Sequence, residues 1–428
     1  MRQRLTAKWM SIIFMILLYL LMVTGCYDSR EIDDLSYPLA IGLDIGEANI
    51  LRLSLQMAAP LAIGEGGGGG GGEGGGGGGS SKSESSSIIT VDTPSIYSGL
   101  NLINNIVSKE INVSHAKIIV ISKELAEQGF KEYLHALQRG REFRPNIYMV
   151  ISNCPAYEYL ENVKPILESN PAKYYELLLG KKFYPFYPDT DMNDFYFQSE
   201  SDDIQPVAIL SDIGKYEDVN EIAQTTKKAD TTSVRLEGQY TAGNIPIAAK
   251  RQNEFMGMAV FKNDKMIGTT NGLESACYHM IIGEYSYSYW TIPDPLVKDK
   301  IVVMNIMQRS KPKVNVKLND KKANISIHID LEGDFTSIQS DINYETNPEI
   351  MEKTVEQFLA KEITAFLNRT KEEFDSDICG FGRFVKRKFL TWDSWKKYEW
   401  FEKYKNTSFE VQVDLKIRRT GLIIKSVG

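Results

Sequence analysis

From Met10 to Val23 the chain is apolar except for Ser11. Arg2, Arg4 and Lys8 precede this run, and Val23-Thr24-Gly25-Cys26 closes it. A helix that crosses hydrocarbon needs about 20 apolar residues, so the run is too short to span. A basic head, a short apolar middle and a small-residue end make a cleavable secretory signal, assigned here to residues 1–25. No later stretch approaches the roughly 18 apolar residues of a span. Ile281-Ile282 and Ile301 to Met304 are the nearest candidates, and both are far too short. Whatever this chain folds into, it folds outside the membrane.

The end of the signal carries more. Val23-Thr24-Gly25-Cys26 resembles the bacterial lipobox, in which the thiol of the Cys receives a diacylglycerol before cleavage on its amino side. A single acyl chain binds a bilayer marginally, whereas two anchor it. Cys26 is therefore the expected lipid attachment site, with the body of the protein tethered to the outer face of the cell membrane. Losing Arg2, Arg4 and Lys8 with the signal takes the formal charge from −7 to −10. An acidic chain of this kind is a poor match for nucleic acid. It also gains little from broad adhesion to anionic lipid, so the acyl chains carry the tether. The other cysteines, Cys154, Cys277 and Cys379, are odd in number and far apart. They support neither a disulfide framework nor a Cys-x-x-Cys metal site, and read as small buried apolar residues.

A length of 428 residues accommodates two or three domains, and 43% apolar content supplies their cores. The pattern predicts α+β architecture: three mixed α/β domains after the signal, at 26–200, 203–300 and 301–428. In the first, Leu39 to Asp44 and the alternating Leu51, Leu53, Leu55, Met57 predict strands. Residues 64–87 are glycine and serine apart from a few charges, a disordered loop with a reach of roughly 25–30 Å. They lack the short pattern of a phosphate loop. Strand signals on both sides place the tract inside the domain. Thr93-Pro94 predicts a helix start with Thr93 as cap, and Ile96, Leu100, Ile103 and Val107 continue it. Strands at 116–121 and 146–151, with helices between and after them, predict a mixed layer. Tyr184 to Pro206 reads as a loop or linker.

In the middle domain, Met258 to Thr270 predicts a hairpin turning at Asn263-Asp264, followed by a helix capped by Asn271. In the last, Val314, Val316, Leu318 and Ile325, Ile327, Ile329, Leu331 alternate on either side of a turn at 319–322. Asn347-Pro348 opens a long helix with Met351, Val355, Phe358, Leu359, Ile363, Phe366 and Leu367 on one stripe. Phe409 to Ile417 makes a closing strand.

Candidate sites are few. Asp189, Asp191, Asn193 and Glu200 have the first, third, fifth and twelfth positions of a calcium loop. The sixth position is Asp194 where glycine is needed, and Pro185 and Pro188 discourage an entering helix, so a solvated acidic loop is the stronger reading. Trp392, Trp395, Trp400 and Phe401 crowd one short stretch. They fit a core face, or a contact patch for a partner subunit or membrane surface. His115, His135, His279 and His328 are isolated, and no Gly-x-Ser-x-Gly elbow occurs, so no enzymatic activity and no cofactor are expected.

Several of these stretches together resemble one family, the Ger(x)C lipoproteins that form the C subunits of spore germinant receptors. Gly25-Cys26-Tyr27-Asp28 through Leu35 is similar to that family's Gly-Cys-Trp-Asp start, with Tyr27 in place of the usual Trp. Gly257 to Gly268 with Glu274 resembles its hairpin and helix, and Asp375 to Gly382, Trp392-Asp393 and Trp400-Phe401 its closing pattern. The resemblance implies a three-domain lipoprotein on the outer face of the spore inner membrane. It implies partners as well: two integral-membrane receptor subunits, one of them transporter-like, in a complex that triggers germination when nutrients appear. The glycine tract departs from that pattern. A different function compatible with the same tether is a lipid-anchored solute-binding protein feeding a transporter.

Overall fold

A computed structural model describes residues 9–17, 19, 31–58, 86–163, 167–168, 170–180, 185–216, 218–219, 222, 236–248, 252–319 and 322–419. Cys26 and residues 64–85 of the glycine–serine tract lie outside them. Residues 9–17 are helical and exposed, and no described helix is long and apolar enough to cross a membrane.

Ten strands precede residue 270: β1 (Leu35–Ser36), β2 (Pro38–Ile45), β3 (Leu51–Ala58), β4 (Ser86–Thr93), β5 (Glu110–Ile111), β6 (Ile118–Ser122), β7 (Tyr148–Ser152), β8 (Val207–Ile213), β9 (Asn253–Lys262) and β10 (Lys265–Thr269). Eight of them form one sheet in the order β10-β9-β8-β7-β6-β2-β3-β4, while β1 and β5 pair apart. Its centre, β2-β6-β7-β8, is parallel. Parallel strands are covered on both faces, which is why Ile118-Ile119-Val120-Ile121 is unbroken and buried throughout. Because side chains alternate, Ile119 and Ile121 meet one core and Ile118 and Val120 the other. The first core is closed by α1 (Ile96–Asn104), α2 (Lys123–Gln128) and α3 (Lys131–Arg139); the second by α4 (Ala156–Glu161) and α5 (Pro171–Leu179). Antiparallel β3-β4 and β9-β10 finish the two sides.

Two local expectations are corrected here. The cap of α1 is Ser95, whose hydroxyl accepts from Ser98 N, rather than Thr93, which ends β4. The stretch 184–206 is not all loop: α6 (Met192–Ser199) lies in it, capped by Asp191 and burying Met192 and Phe195 in the first core.

The expected division at 200–203 falls inside the first sheet. β8 pairs with β7 and then with β9, so the hairpin at 258–270 extends the amino-terminal sheet. The helix that follows, α7 (Gly272–Ile282), packs instead into the core of the second sheet. Residues 203–300 are thus shared between two sheets, because β7–β8 and β8–β9 are long-range pairings that no local pattern announces.

The second sheet holds β11 (Tyr287–Pro293), β12 (Ile301–Gln308), β13 (Lys313–Leu318), β14 (Ala323–Ile338) and β15 (Ser408–Arg419). β14 runs for 16 residues. β13 pairs with its first half and β12 with its second along one edge, and β15 runs parallel along the other. Ala323, Ile325, Ile327, Ile329 and Leu331 are buried and their neighbours are not. The 25-residue α8 (Pro348–Glu372) lays Met351, Val355, Leu359, Ile363, Phe366 and Leu367 on that face. Each such side chain, fully buried, contributes about 1.5–3 kcal/mol. The edge of β15 is blunted by the same helix, since Leu415 N and Ile417 N donate to Glu356 and Glu352, both at 2.9 Å.

Candidate functional site

The chain between α8 and β15 folds into three short helices, α9 (Gly382–Lys386), α10 (Trp392–Tyr398) and α11 (Trp400–Tyr404), and the starts of the first and third meet at one carboxylate. Asp377 is fully buried. Phe381 N donates to one of its oxygens at 3.0 Å; Gly382 N and Trp400 Nε1 donate to the other at 2.7 and 2.8 Å. Burial pushes its carboxyl up to about 6, against the downward pull of these donors. The turn that aims the donors needs its glycines. Gly380 has φ +71°, and a Cβ on Gly382 would sit 2.5 Å from Asp203 O and 2.7 Å from Trp400 Nε1.

This carboxylate also marks the seam between the two sheets. Gln205 N donates to Asp377 O at 2.9 Å, and Ser376 Oγ to Phe261 O at 2.8 Å. Lys386 Nζ reaches Asp202 at 2.8 Å and Asp203 at 3.0 Å, and Trp395 Nε1 donates to Asp202 at 2.8 Å. Lys262 pairs with Asp375 at 3.0 Å. The loop before β8 and the β9-β10 hairpin are thereby fastened to the carboxy-terminal helices by charge-assisted contacts, several of them sheltered from water.

The structure divides the aromatic stretch. Trp395 and Trp400 are buried, and Phe401 is half-buried against the same core. Trp392 points outward, 53% exposed, with Lys386 Nζ 4.5 Å and Lys396 Nζ 5.5 Å from its ring centroid. Leu390 beside it is fully exposed.

The four residues of calcium-loop spacing are not brought together. Asp191 Oδ1 accepts from Asp194 N as the cap of α6, Asn193 is in the helix, and Glu200 ends it, 2.7 Å from Lys131 Nζ. Nine residues of helical rise hold Asp191 and Glu200 about 13 Å apart. Asp189 lines a polar cavity of about 560 Å³ with Asp194, Arg383 and Arg387. His328, taken as isolated from its spacing, lies 2.9 Å from Asp330 and 3.0 Å from Asp414 on the open face of the second sheet. Lys313 pairs with Asp330 at 3.1 Å. His328 and Asp330 are two apart on β14, and Asp414 arrives through the register with β15. The period-two signal was present for the first pair, but nothing local announced the third member. A cavity of about 550 Å³ opens under the first sheet, lined by Tyr174, Tyr187, Tyr240, Phe255, Met256 and Glu254.

What this geometry defines is a multidomain α+β protein whose two sheets are joined at a seam of backbone, hydroxyl and ion-pair contacts beside a buried carboxylate. The family profile described as spore germination protein N-terminal domain matches residues 28–212, and that described as spore germination B3/GerAC like, C-terminal, matches 256–421. Spore germination protein KC of Bacillus subtilis (strain 168) is 23% identical over 418 residues, covering 95% of both chains. Spore germination protein GerQC of Bacillus cereus is 22% identical over 319 residues, 74% of this chain and 77% of that one. The crystal structure of the GerBC protein superposes with a TM-score of 0.51 at 14% identity, over 88% of this chain and 96% of that chain, and shows a shared fold. The chain belongs to the Ger(x)C family of spore germination proteins. The two profiles meet across hydrogen-bonded strands, one ending within β8 and the other beginning within β9.

Proposed function

We infer that this protein is the membrane-anchored lipoprotein subunit of a nutrient germinant receptor, held by acylated Cys26 and acting by docking to integral-membrane receptor subunits. The observation that carries the reading is the conjunction of family membership across most of the chain with Val23-Thr24-Gly25-Cys26 at its amino end. In this role the body need not react with anything. It needs a rigid connection between its two sheets, and the Asp377 seam supports that. The partners are a transporter-like subunit and a second membrane subunit. The test is Cys26→Ala in spores: the variant is expected to leave the membrane fraction, and the response to at least one nutrient to fall. Full membrane retention with an undiminished response would remove the reading.

One observation favours the alternative, a lipid-anchored solute-binding protein that feeds a transporter. The 550 Å³ cavity has aromatic walls and two carboxylates, Glu237 and Glu254, and burial raises the pKa of the second. Calorimetry of the protein with amino acids, sugars and nucleosides decides it: saturable heat supports solute binding, and its absence with all three classes dismisses it.

A further inference from the structure

An exposed leucine alone is ordinary on a protein surface. The turn between α9 and α10 presents a different combination. Leu390 touches solvent on every side, Trp392 stands half out, and Arg387, Lys388, Lys396 and Lys397 around them are all exposed. Between residues 383 and 405 there are eight basic residues against three acidic, in a chain of net charge −7. The segment therefore opposes the sign of the molecule that carries it. An apolar point, an amphipathic indole behind it and a collar of cations is the composition that suits a bilayer interface, where indole rings sit at headgroup level and cations meet phosphates.

The position of the turn agrees. The register aligns Ala40 with Ile118, Ile118 with Tyr148, and Val150 with Ile209, so β2 and β8 begin at the same edge of the sheet. Asp202 and Asp203, just before β8, hold Lys386 and Trp395 at the base of the projecting turn. The chain enters at that same edge through Leu35–Ser36 and Pro38. β2 and β8 are three strand spacings apart, about 14 Å. The nine residues from Cys26 to Leu35 reach at most about 30 Å. Asp189 and Asp191 lie on this edge too, beside Tyr148, so attraction to lipid is local to the turn and not spread along the face.

We propose that Leu390 and Trp392 form a wedge that enters the interface of an anionic bilayer, with Arg387, Lys388, Lys396 and Lys397 on the headgroup phosphates. The wedge would give the body a second point of contact with the bilayer and so fix its orientation. Its sharing of one bilayer with the tether rests on the Cys26 reading; the lipid contact itself does not.

The test separates the two. The full chain, with an amino-terminal hexahistidine tag, is held on vesicles by nickel-chelating lipid, so that attachment does not depend on acylation. In a Cys26→Ser, Cys154→Ser background, an environment-sensitive fluorophore is placed by Leu390→Cys, or as control by Ile50→Cys at the opposite end of β2. Vesicles are phosphatidylcholine with or without phosphatidylglycerol, and each set is repeated with brominated chains as quencher. The expected result is a blue shift and quenching at position 390 only, strongest with phosphatidylglycerol. Joint Lys396→Glu and Lys397→Glu replacement should lower the inserted fraction roughly tenfold while buried Trp395 and Trp400 keep their emission. A label at 390 that stays as wet as the one at 50 on phosphatidylglycerol vesicles overturns the proposal. So does shielding at 390 seen only in native membranes that contain receptor subunits, which would assign the turn to a protein partner.

Discussion

Replacing Asp377 by asparagine tests whether the turn beside the seam is held by a buried, ionisable group. The carboxyl ionises in the folded protein at about 6, against an ordinary value of 3.8. An acid whose folded pKa is raised contributes stability that is fully present below the unfolded value and lost as pH rises through the folded one. At roughly 1.4 kcal/mol per pH unit, the gap corresponds to about 3 kcal/mol between pH 3.5 and pH 7.5. The asparagine side chain keeps the shape but does not titrate. It also faces one donor of Phe381, Gly382 or Trp400 with an NH2 group, a fixed cost of about 1–3 kcal/mol that does not change with pH. Other buried acids with raised values, Asp44, Asp212 and Glu254, are the same in both proteins and cancel in the comparison. The stability of the variant relative to the natural chain should therefore improve by about 3 kcal/mol as pH rises across that window. Urea unfolding followed by tryptophan emission, which includes buried Trp395 and Trp400, measures it at a series of pH values. Parallel stability curves for the two proteins would refute the argument, and a gap that widens with pH would reverse its sign.

Other consequences follow from the same packing. Gly382→Ala should destabilise by about 1–3 kcal/mol, because its Cβ meets Asp203 backbone and the Trp400 ring at once; thermal unfolding reads the loss. Ile327→Ala, on the buried face of β14 beneath α8, should cost about 2–5 kcal/mol by denaturant midpoint. A fragment ending at residue 212 leaves the edge of β8 unpaired and should aggregate, whereas one extended to 270 includes β9 and β10 and should stay in solution by size-exclusion chromatography.

Much of the fold was legible because its elements repeat their own period. The alternation of residues 51–57 and 325–331 became β3 and β14, and the stripe from Met351 to Leu367 became the buried face of α8. Asn271 and Glu274 form the reciprocal cap that starts α7. What was hidden depends on distance along the chain. The parallel β7–β8 pairing carries the first sheet past residue 203, and its signal lies in neither strand alone. In 184–206 three prolines and several acids concealed a two-turn helix whose apolar contacts, Met192 and Phe195, are too few to set a period. The aromatic stretch left a core face and a contact patch both open because composition is blind to phase. Trp392 and Trp395 share one helix, yet one faces lysines and solvent while the other donates to Asp202 in the seam. Asp377 lay within the Asp375 to Gly382 stretch that carries the resemblance, but nothing in it marked this Asp as the buried one, since a buried carboxylate looks like any Asp until its donors are placed.

The reading of this protein as a tethered receptor subunit stands or falls on the first residue of its mature form. Protein purified from spore membranes and analysed by mass spectrometry should yield an amino-terminal peptide that begins at Cys26 and carries diacylglycerol on sulfur. A free Cys26 thiol within an uncleaved chain, or the intact protein recovered from the soluble fraction, would contradict it.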